Sequence, residues 1–220
     1  MKKLVVLLSM AAVVAVLVAG LSGAFGTQDT PAVYASRLAG VSGSGETGIQ
    51  VQNLDASQDA AITANFYKQD GSAPISIAAA TTPPRGSALY YLPSLDQLPD
   101  GAYAAVINSD RQIAAIARTD WQASGGAAIY SNVIPGTDVA VPLAVKQYYG
   151  QCSLISVQNT DTSAPATADL EVYESGAATP TVSVPMSIQP GTSVTADFCS
   201  GDDFADPSKA VGSATITSNQ

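Results

Sequence analysis

The side chains of this sequence that could bind or transform a ligand are mostly carboxylates, because the chain contains no histidine. Histidine-dependent nucleophilic triads and imidazole metal ligands are therefore excluded. Asp202, Asp203 and Asp206 stand close together in a segment without strand periodicity. Closely spaced loop carboxylates are the ligands that calcium takes, so a calcium site is predicted here. Their spacing does not match an EF-hand loop, and an acidic surface loop is the alternative.

The few glutamates offer a second possibility, a pair of carboxylates that hydrolyses a glycosidic bond. They are Glu46, Glu171 and Glu174. Glu171 lies between the apolar residues Leu170 and Val172, an alternation that predicts a solvent-facing side chain on a strand. The sequence also contains no glycine-rich phosphate loop followed by lysine. We therefore expect no catalytic residues, no cofactor other than calcium, and no enzymatic activity.

The chain has two cysteines, Cys152 and Cys199. An exported protein meets an oxidising environment, in which a disulfide persists. We predict that these two cysteines form one, and that a closed loop of this length stabilises the fold by about 4 kcal/mol if it is unstrained. Two free buried thiols in a reducing compartment are the alternative.

Aromatic side chains could stack on a sugar ring if they are exposed. The candidates are Tyr90 or its neighbour Tyr91, Trp121 and Tyr148. The alternative is that these rings fill hydrophobic cores. Packing at a domain junction would then be the role of Trp121, which follows the last strand pattern of the first half of the chain.

The N-terminus has the parts of a secretory signal peptide. A short positive start, 1–3, is followed by an apolar run over 4–20 and by the small residues Ser22-Gly23-Ala24. We predict a signal peptide over 1–24 and a secreted or cell-surface protein. The apolar run is almost long enough to cross a bilayer, so an uncleaved anchor is the alternative.

The charge of the chain limits its partners. Nine Lys and Arg residues stand against 18 Asp and Glu residues, for a net charge of −9. An acidic surface repels phosphate backbones, which argues against a nucleic-acid partner. Once the signal segment is cleaved we expect no membrane association either. The expected partners are other envelope or matrix proteins or surface glycans.

Beyond the signal segment, the sequence repeats itself at an offset of 106 residues. Val51-Gln52-Asn53 corresponds to Val157-Gln158-Asn159. Further along, Gly86-Ser87 is matched with Gly191-Thr192 if the second copy has lost one residue before this point. A unit of about one hundred residues has the size of a domain. The repeat therefore predicts a tandem of two related domains.

Each copy consists of short segments in which apolar and polar residues alternate, separated by Gly, Pro and Asp turn signals. Ile49 and Val51, for example, alternate with Gln50 and Gln52. This period describes strands with one face in a core and the other in water. The pattern predicts an all-β fold made of two tandem immunoglobulin-like antiparallel β-sandwich domains.

We predict a flexible linker over 25–47, a first sandwich over 48–145 and a second over 146–220. A short strand near 32–36 is an alternative within the linker. The first copy continues into a strand at 112–118 that has no equivalent in the second copy. The second sandwich is therefore expected to lack its last strand. Three explanations are open. The sequence is a fragment of a longer reading frame, or an open sheet edge accepts a strand from a neighbouring subunit, or the domain is complete but closed in a different way.

Several of these segments together resemble repeats found in bacterial secreted and cell-surface proteins. The resemblance covers most of residues 34–220 and rests on turn and strand motifs, which are Gly48–Asn53, Ile62–Tyr67, Asp70-Gly71, Leu98–Gly101 and Tyr148–Gly150. Such repeats are similar to immunoglobulin-like β-sandwich modules, and the resemblance implies no catalytic residues. In the second copy Ser175-Gly176 replaces Asp-Gly, so that turn is less well defined.

Taken together, the sequence predicts a non-enzymatic structural or adhesive module of the bacterial cell surface or extracellular matrix. A carbohydrate-binding module of a secreted protein is the first alternative. A filament subunit that assembles by strand exchange is the second.

Overall fold

The computed structural model describes residues 32–40, 45–78, 81–121, 126–131, 135–198 and 210–220. Within these ranges the regular structure is antiparallel β-sheet, with one 3-10 turn at Leu92–Ser94. No helix in these ranges is long and apolar enough to cross a membrane. The predicted signal peptide, 1–24, lies outside them. We call residues 32–131 the first half and residues 135–220 the second half.

Each half contributes its own strands. Those of the first half are β1 Ala32–Gly40, β2 Glu46–Asn53, β3 Ile62–Lys68, β4 Ile75–Ala78, β5 Ser87–Tyr91, β6 Gly101–Ser109, β7 Ile113–Trp121 and β8 Gly126–Ser131. Those of the second half are β9 Asp138–Lys146, β10 Leu154–Gln158, β11 Ala166–Glu174, β12 Val182–Ile188, β13 Ser193–Asp197 and β14 Ala210–Ser218.

The first half contains two four-stranded sheets, with the strand orders β1-β6-β3-β4 and β5-β2-β7-β8. Side chains of both sheets form one hydrophobic core. In this core Phe66 of β3 and Tyr103 of β6 meet edge to face, with ring centroids 6.4 Å apart. Ile49 of β2 comes from the opposite sheet. The arrangement is β-sandwich-like, as the alternating sequence pattern predicted.

β2 illustrates how the sequence selects the inner face of a sheet. Ile49 and Val51 are buried, whereas Gln50 and Gln52 between them are exposed. Burial of each such apolar side chain contributes about 1.5–3 kcal/mol. Thr47 also points inward, and its hydroxyl meets that of Thr119 on β7 at 2.8 Å. The inward polar group is therefore satisfied within the core.

The second half has a four-stranded sheet in the order β12-β11-β14-β9 and a two-stranded sheet of β10 and β13. Side chains from both sheets again share one core, in which Leu170 of β11 and Ile188 of β12 are almost fully buried. Ile155 of β10 and Phe198 after β13 complete it from the other side. The second half is thus also β-sandwich-like, with a smaller second sheet.

Strand pairing in the two halves follows the same registers. Ala32 of β1 pairs with Asn108 of β6. Asp138, 106 positions after Ala32, pairs with Thr217, 109 positions after Asn108. β1 and β6 therefore correspond to β9 and β14, and the offset grows from 106 to 109 positions between them, an insertion of three residues in the second half. Both pairs also shift register at one point along the ladder.

Two strands lie in segments that the sequence analysis assigned to a different part of the domain organisation. β1 falls within the predicted linker 25–47, but its backbone pairs with β6 along the first sheet. β9 falls within the predicted first sandwich, 48–145, but it pairs with β14 of the second half. Alternation identifies a strand and its buried face, whereas the partner strand depends on the turns and on tertiary packing. The strand pairing therefore moves both predicted limits toward the N-terminus.

The small sheet of the second half differs from its counterpart in one respect. β2 is paired on both edges, with β5 and with β7. In the described part of the chain, β10 pairs along its length only with β13. Along one long edge of β10, no strand of the described ranges takes the place that β7 has beside β2.

The two halves touch at the turn between β12 and β13. Gly191 in this turn is buried against the ring of Tyr67 on β3, so that a Cβ at this position would collide with the ring carbons. A Cβ on Gly71, in the turn after β3, would lie 3.6 Å from Cγ of Gln189. β1 also approaches β10 and β13. The first half therefore covers the face of the second half formed by β10, β13 and this turn.

Candidate functional site

The most distinctive sequence motif, Val-Gln-Asn, places a buried asparagine at the end of β2. The Asn53 side chain is fully buried, and its Nδ2 donates to the backbone carbonyls of Gln58 at 2.8 Å, Thr82 at 3.1 Å and Pro83 at 3.2 Å. Its Oδ1 accepts the backbone N–H of Asp55 at 2.9 Å. Asn53 therefore joins the end of β2 to two separate turns.

Asp55 continues this cluster, which we call the first asparagine turn. One of its carboxylate oxygens accepts the backbone N–H groups of Ser57 and Gln58 and the Ser57 hydroxyl, at 2.8–3.1 Å. These hydrogen bonds, the Ser57 backbone N–H first, hold the pKa of the Asp55 carboxyl below its ordinary value. One oxygen of the Asp55 carboxylate therefore fixes the turn.

The second half builds the same cluster, the second asparagine turn. Nδ2 of Asn159 donates to the carbonyls of Ala164 at 2.7 Å, Ile188 at 3.4 Å and Gln189 at 3.5 Å. These acceptors stand 5, 29 and 30 residues after the asparagine, the same separations as in the first half. Asp161 then repeats the role of Asp55, and the Ser163 hydroxyl is the main cause of its lowered pKa.

The backbone bonds of these asparagines correct one part of the sequence comparison. The Asn53 N–H donates to Gly86 and the Asn159 N–H to Thr192, at 2.9 and 3.0 Å. Gly86 therefore corresponds to Thr192, and Arg85 corresponds to Gly191, so that no residue is lost between the copies. Sequence matching aligned the two glycines because it compared residue type. The hydrogen bonds of the turn instead align Gly86 with Thr192.

Arg85 occupies a backbone conformation that suits glycine. The N–H of Gly86 donates to the Pro83 carbonyl, which closes a turn with Pro84 and Arg85 at its centre. Arg85 has φ 58° and Gly191, its counterpart, has φ 70°. A positive φ at the third residue of a turn that begins with proline is the geometry of a type II turn. A non-glycine residue there is strained by about 1–2 kcal/mol.

Arg85 lines an open depression on the outer face of the sheet β5-β2-β7, with a cavity volume of about 400 Å³. We call this surface the Arg85 face; its lining residues are Gln50, Gln52, Arg85, Ser87, Ala114, Ala115 and Ile116. Gln50 donates to the Ser87 hydroxyl at 3.1 Å, and Gln52 donates to the Arg85 carbonyl at 3.4 Å. Within the described residues, the Arg85 guanidinium forms no ion pair.

Large apolar side chains are also exposed on this outer face. Ile116 is 47% exposed, and Leu89 and Ile129 are 67% and 59% exposed. Leu89 and Ile116 both pair with Gln50 across the sheet, so the three side chains share one side. The Arg85 face therefore combines one positive charge, two amides, a hydroxyl and an apolar floor.

The corresponding surface of the second half is covered. Ser87 and Gln52 are exposed, whereas their counterparts Ser193 and Gln158 are 1% exposed and half-buried. Among the described residues, the hydroxyl of Ser193 and the side-chain carbonyl oxygen of Gln158 are buried and have no hydrogen-bond partner. The difference follows from the contact between the halves, which places Tyr67 against Gly191.

The aromatic residues predicted from the sequence to stack on a ligand differ in their exposure. Tyr90 is only 3% exposed and packs in the core of the first half, with its hydroxyl 3.5 Å from the Ile62 carbonyl. It is therefore not available to stack on a ligand. Its neighbour Tyr91 is 40% exposed and donates to Glu46 at 2.8 Å, a hydrogen bond that raises the pKa of the Tyr91 phenol. Trp121 ends β7, and its side chain lies outside the described structure.

Tyr148, like Tyr91, is a predicted stacking residue that the structure leaves exposed. It is 47% exposed, and the adjacent Tyr149 is 90% exposed. Their rings meet at 78° with centroids 4.7 Å apart. The turn that carries them is strained, because Gln147 and Tyr149 have positive φ values of 51° and 50°. The two rings form a small exposed aromatic pair between β9 and β10.

The other predicted sites are only partly described. Asp202, Asp203 and Asp206 lie outside the described residues, and the ranges that are described contain no group of three potential metal ligands. Cys199 also lies outside them. Cys152 is described and is not a free thiol; it accepts the Gln147 backbone N–H at 3.4 Å. The predicted pairing of the two cysteines stays a prediction.

Sequence reasoning missed the Arg85 face because it searched for acids, cysteines and aromatic rings. Two signals could have indicated it. Gln50 and Gln52 alternate with buried residues and so had to share the outer face of β2. The second signal is the arginine between Pro84 and Gly86, at a turn position that glycine usually occupies.

Comparison with known proteins adds no further guidance. No family model, curated protein or solved structure matches this chain. The function is therefore argued from the fold and from the surfaces described above.

Proposed function

We propose that this chain is an exported, non-enzymatic structural or adhesive module of a bacterial cell surface or extracellular matrix. In this proposal its two halves are immunoglobulin-like β-sandwich domains in tandem. The signal-peptide pattern over 1–24 supports export, and the resemblance to bacterial surface repeats supports the location. The acidic charge and the absence of histidine agree with a role that needs neither nucleic acid nor imidazole chemistry.

The observation that carries the proposal is the duplicated asparagine turn. In both halves the strongest sequence motif is used to fix the backbone, and its carboxylates, Asp55 and Asp161, accept hydrogen bonds from their own turns. Buried carbonyl groups cost about 1–3 kcal/mol each when they lose their partner, so this use of Asn53 and Asn159 serves stability. A repeated motif devoted to holding two copies of a fold is typical of a scaffold.

The ladder of β10 and β13 supports the predicted disulfide. Leu154 pairs with Asp197, and beyond that pair Phe198 donates to the Ser153 carbonyl at 3.2 Å. In the sequence, Cys152 directly precedes Ser153 and Cys199 directly follows Phe198. A disulfide between them suits an extracellular module.

Export and surface location can be tested in a bacterial host that produces the whole sequence. We expect intact cells to expose the protein to added protease and to release a form that lacks residues 1–24. Leu8→Arg places a charge in the apolar run and should block both results, while Leu8→Ala serves as the matched control. Retention of the unprocessed native chain inside the cells would contradict the proposal.

A carbohydrate-binding module is the second candidate, and the Arg85 face favours it. The amides of Gln50 and Gln52 and the Ser87 hydroxyl could meet sugar hydroxyls, and exposed Ile116 offers an apolar surface to the ring. Titration of the exported chain with soluble polysaccharides tests this candidate. Binding that is lost in Gln50→Ala and Gln52→Ala and unchanged in Asn65→Ala, on the opposite sheet, would support it over the scaffold role.

A filament subunit that assembles by strand exchange is the third candidate, and it draws on the edge of β10 that no described strand covers. Added synthetic β7 peptide, 112–121, should occupy this edge and block assembly if strand exchange occurs. Assembly that continues in excess peptide would speak against this candidate.

A further inference from the structure

One end of the Arg85 face is polar. The strand registers place Gln52 of β2 between Ser87 of β5 and Ala114 of β7. Side chains that stand directly opposite each other on paired strands project from the same side of a sheet. Arg85 precedes β5 by two residues and borders this end of the depression. An amide, a hydroxyl and a guanidinium therefore surround the small side chain of Ala114.

The other end of the Arg85 face is more apolar. Here Gln50 lies between Leu89 and Ile116, which are 67% and 47% exposed. Gln50 and Gln52 are two residues apart on one strand, so about 7 Å separates the two ends. The cavity volume of about 400 Å³ lies in the range of small-ligand sites, roughly 300–1,000 Å³. The depression therefore offers a charged end and an apolar end to a single small group.

The backbone of Arg85 is fixed, whereas its charge is free. Its N–H donates to the Asp55 carbonyl at 3.1 Å, and its carbonyl accepts Nε2 of Gln52 at 3.4 Å. Among the residues that the structure describes, its guanidinium has no carboxylate at ion-pair distance. Arg118, on the same face of the sheet, is by contrast paired with Asp120 at 2.7 Å. Arg85 can therefore give its N–H donors to a group from outside the chain.

This arginine stands in a conformation that glycine adopts more easily. Arg85 has φ 58°, and Gly191, its counterpart in the second half, has φ 70°. Strained backbone positions cluster at sites where the strained residue serves a function. Gly191 lies under the ring of Tyr67 and brings no charge to its turn. The charge is thus present only in the copy of the turn whose sheet face is open.

The structure around Arg85 favours a sugar over a peptide. β2 is paired on both edges, so its backbone offers no edge to an added peptide strand. Recognition on this face has to come from side chains. The amides of Gln50 and Gln52 and the Ser87 hydroxyl include both donors and acceptors, as sugar hydroxyls do. Exposed Ile116 offers an apolar surface to the C–H groups of a sugar ring.

The charge of Arg85 selects an acidic sugar. The planar guanidinium donates two parallel hydrogen bonds to a carboxylate. At the far end of the same sheet, Glu46 and Asp120 are paired across β2 and β7, which directs a carboxylate toward the Arg85 end. The chain as a whole has a net charge of −9 and repels acidic polymers elsewhere on its surface.

We propose that the Arg85 face binds a carboxylate-bearing sugar, a uronic acid residue of an acidic polysaccharide. The sugar carboxylate lies on the Arg85 guanidinium. Its hydroxyls meet Gln50, Gln52 and Ser87, and Ile116 packs against an apolar side of the ring. The inference rests on the carbohydrate-binding candidate of the proposed function and narrows its ligand to an acidic sugar.

The test is isothermal titration calorimetry of the purified chain with a galacturonic acid trimer and with the same trimer methyl-esterified at its carboxylates. The two probes differ in charge and share their ring hydroxyls. The native chain should bind the acid at least tenfold more tightly than the ester. Arg85→Gln removes the charge and should weaken binding of the acid at least tenfold, with little effect on the ester. Gln52→Ala should weaken binding of both.

Arg118→Gln is the matched control, because it removes a positive charge from the same sheet face at a residue that does not line the depression. It should bind the acid like the native chain, and melting temperatures show whether each variant is folded. A native chain that does not bind the acid, or an Arg85→Gln variant that binds it normally, would overturn the inference. A glutamate-rich peptide that binds as tightly as the trimer would also overturn it, in favour of a protein partner.

The esterified trimer separates this inference from the proposed function beneath it. Acid and ester that bind with equal affinity, and that both lose affinity in Gln50→Ala, would overturn the choice of an acidic sugar and leave carbohydrate binding in place. Surface location is measured separately in cells, so its failure is distinguishable from either result.

Discussion

Asn53 and Asn159 are buried at the same point of two equivalent strands, and each donates its side-chain N–H groups to carbonyls 5, 29 and 30 residues further along the chain. The repetition of all three separations means that each asparagine joins the same two turns. The first-half bonds are the shorter set, at 2.8–3.2 Å against 2.7–3.5 Å. Of the two, Asn53 is therefore expected to contribute more to stability.

Asn53→Ala should destabilise the chain by about 2–4 kcal/mol, because it removes the four hydrogen bonds of the buried side chain, among them those to the Gln58 carbonyl and the Asp55 N–H. The free energy of unfolding from urea titration measures this. Asn65→Ala is the control, since Asn65 is half-buried and accepts one hydrogen bond from Ser76; it should cost less than about 1 kcal/mol. Equal losses of unfolding free energy in the two variants would show that Asn53 contributes no more to stability than Asn65 does.

The chain should lose stability in acid through its turn aspartates. Hydrogen bonds from their own turns lower the pKa of Asp55 and Asp161 in the folded state, below the ordinary value of 3.8. The stability they contribute is therefore complete above that ordinary value and is lost as the pH falls through the lowered folded-state pKa. Melting temperatures measured from neutral pH down to a pH below the folded-state pKa of these aspartates measure this effect.

The double variant Asp55→Asn/Asp161→Asn provides the control for the acid prediction. Asparagine keeps the side-chain oxygen that accepts the turn N–H groups but does not titrate in this range. Its melting temperature should depend less steeply on pH than that of the native chain. An unchanged dependence would assign the acid sensitivity to other carboxyls.

Arg85→Gly should stabilise the chain by about 1 kcal/mol, because glycine adopts a positive φ without strain. This result is unusual for a loss of side chain, and it would show that arginine is kept at the site for a reason other than stability. Gly86 and Pro83, which close the turn, remain unchanged. A destabilised Arg85→Gly variant would instead indicate that the side chain supports the fold.

Gly191→Ala should destabilise the chain by about 2 kcal/mol or more, since the added Cβ meets both a positive φ and the ring of Tyr67. The effect of the ring can be separated in a double-mutant cycle with Tyr67→Ala. The cost of Gly191→Ala should be smaller in the Tyr67→Ala background. Additive costs would mean that the ring does not oppose the new methyl group.

Reduction should lower the stability of the second half by up to about 4 kcal/mol if Cys152 and Cys199 are joined. The double variant Cys152→Ser/Cys199→Ser should melt like the reduced native chain and should not respond to reductant. A native chain that melts at the same temperature with and without reductant would refute the predicted disulfide.

The sequence predicted the positions of the strands far better than it predicted which strands pair with each other. Alternation identified the buried face of β2 and β3 correctly because that period is set by the backbone itself. It could not predict that β9 pairs with β14, because the alternation within one strand does not indicate which strand lies beside it. A short strand near 32–36 was an alternative within the predicted linker, but its extension to Gly40 and its pairing with β6 were not predicted. The predicted immunoglobulin-like arrangement needs more than strand order and stays part of the proposal.

The surface was predicted less well, for a physical reason. Tyr90 and Tyr91 are adjacent, so one had to face the core, and the candidate named first, Tyr90, is the buried one. The Arg85 face depends on side chains from three strands that are distant in the sequence. Such a surface exists only once the register brings them together, whereas the asparagine motif was visible because its residues are consecutive.

The unequal pairing of β2 and β10 sets an order in which the molecule opens. β2 is held by strands on both sides, and β10, in the part of the chain that the structure describes, is held by β13 alone. Backbone amides with one neighbouring strand become accessible to solvent through smaller fluctuations than those with two. Hydrogen exchange should therefore begin at β10 and reach β2 last, so that the second half yields to heat or proteases while the first half is still folded.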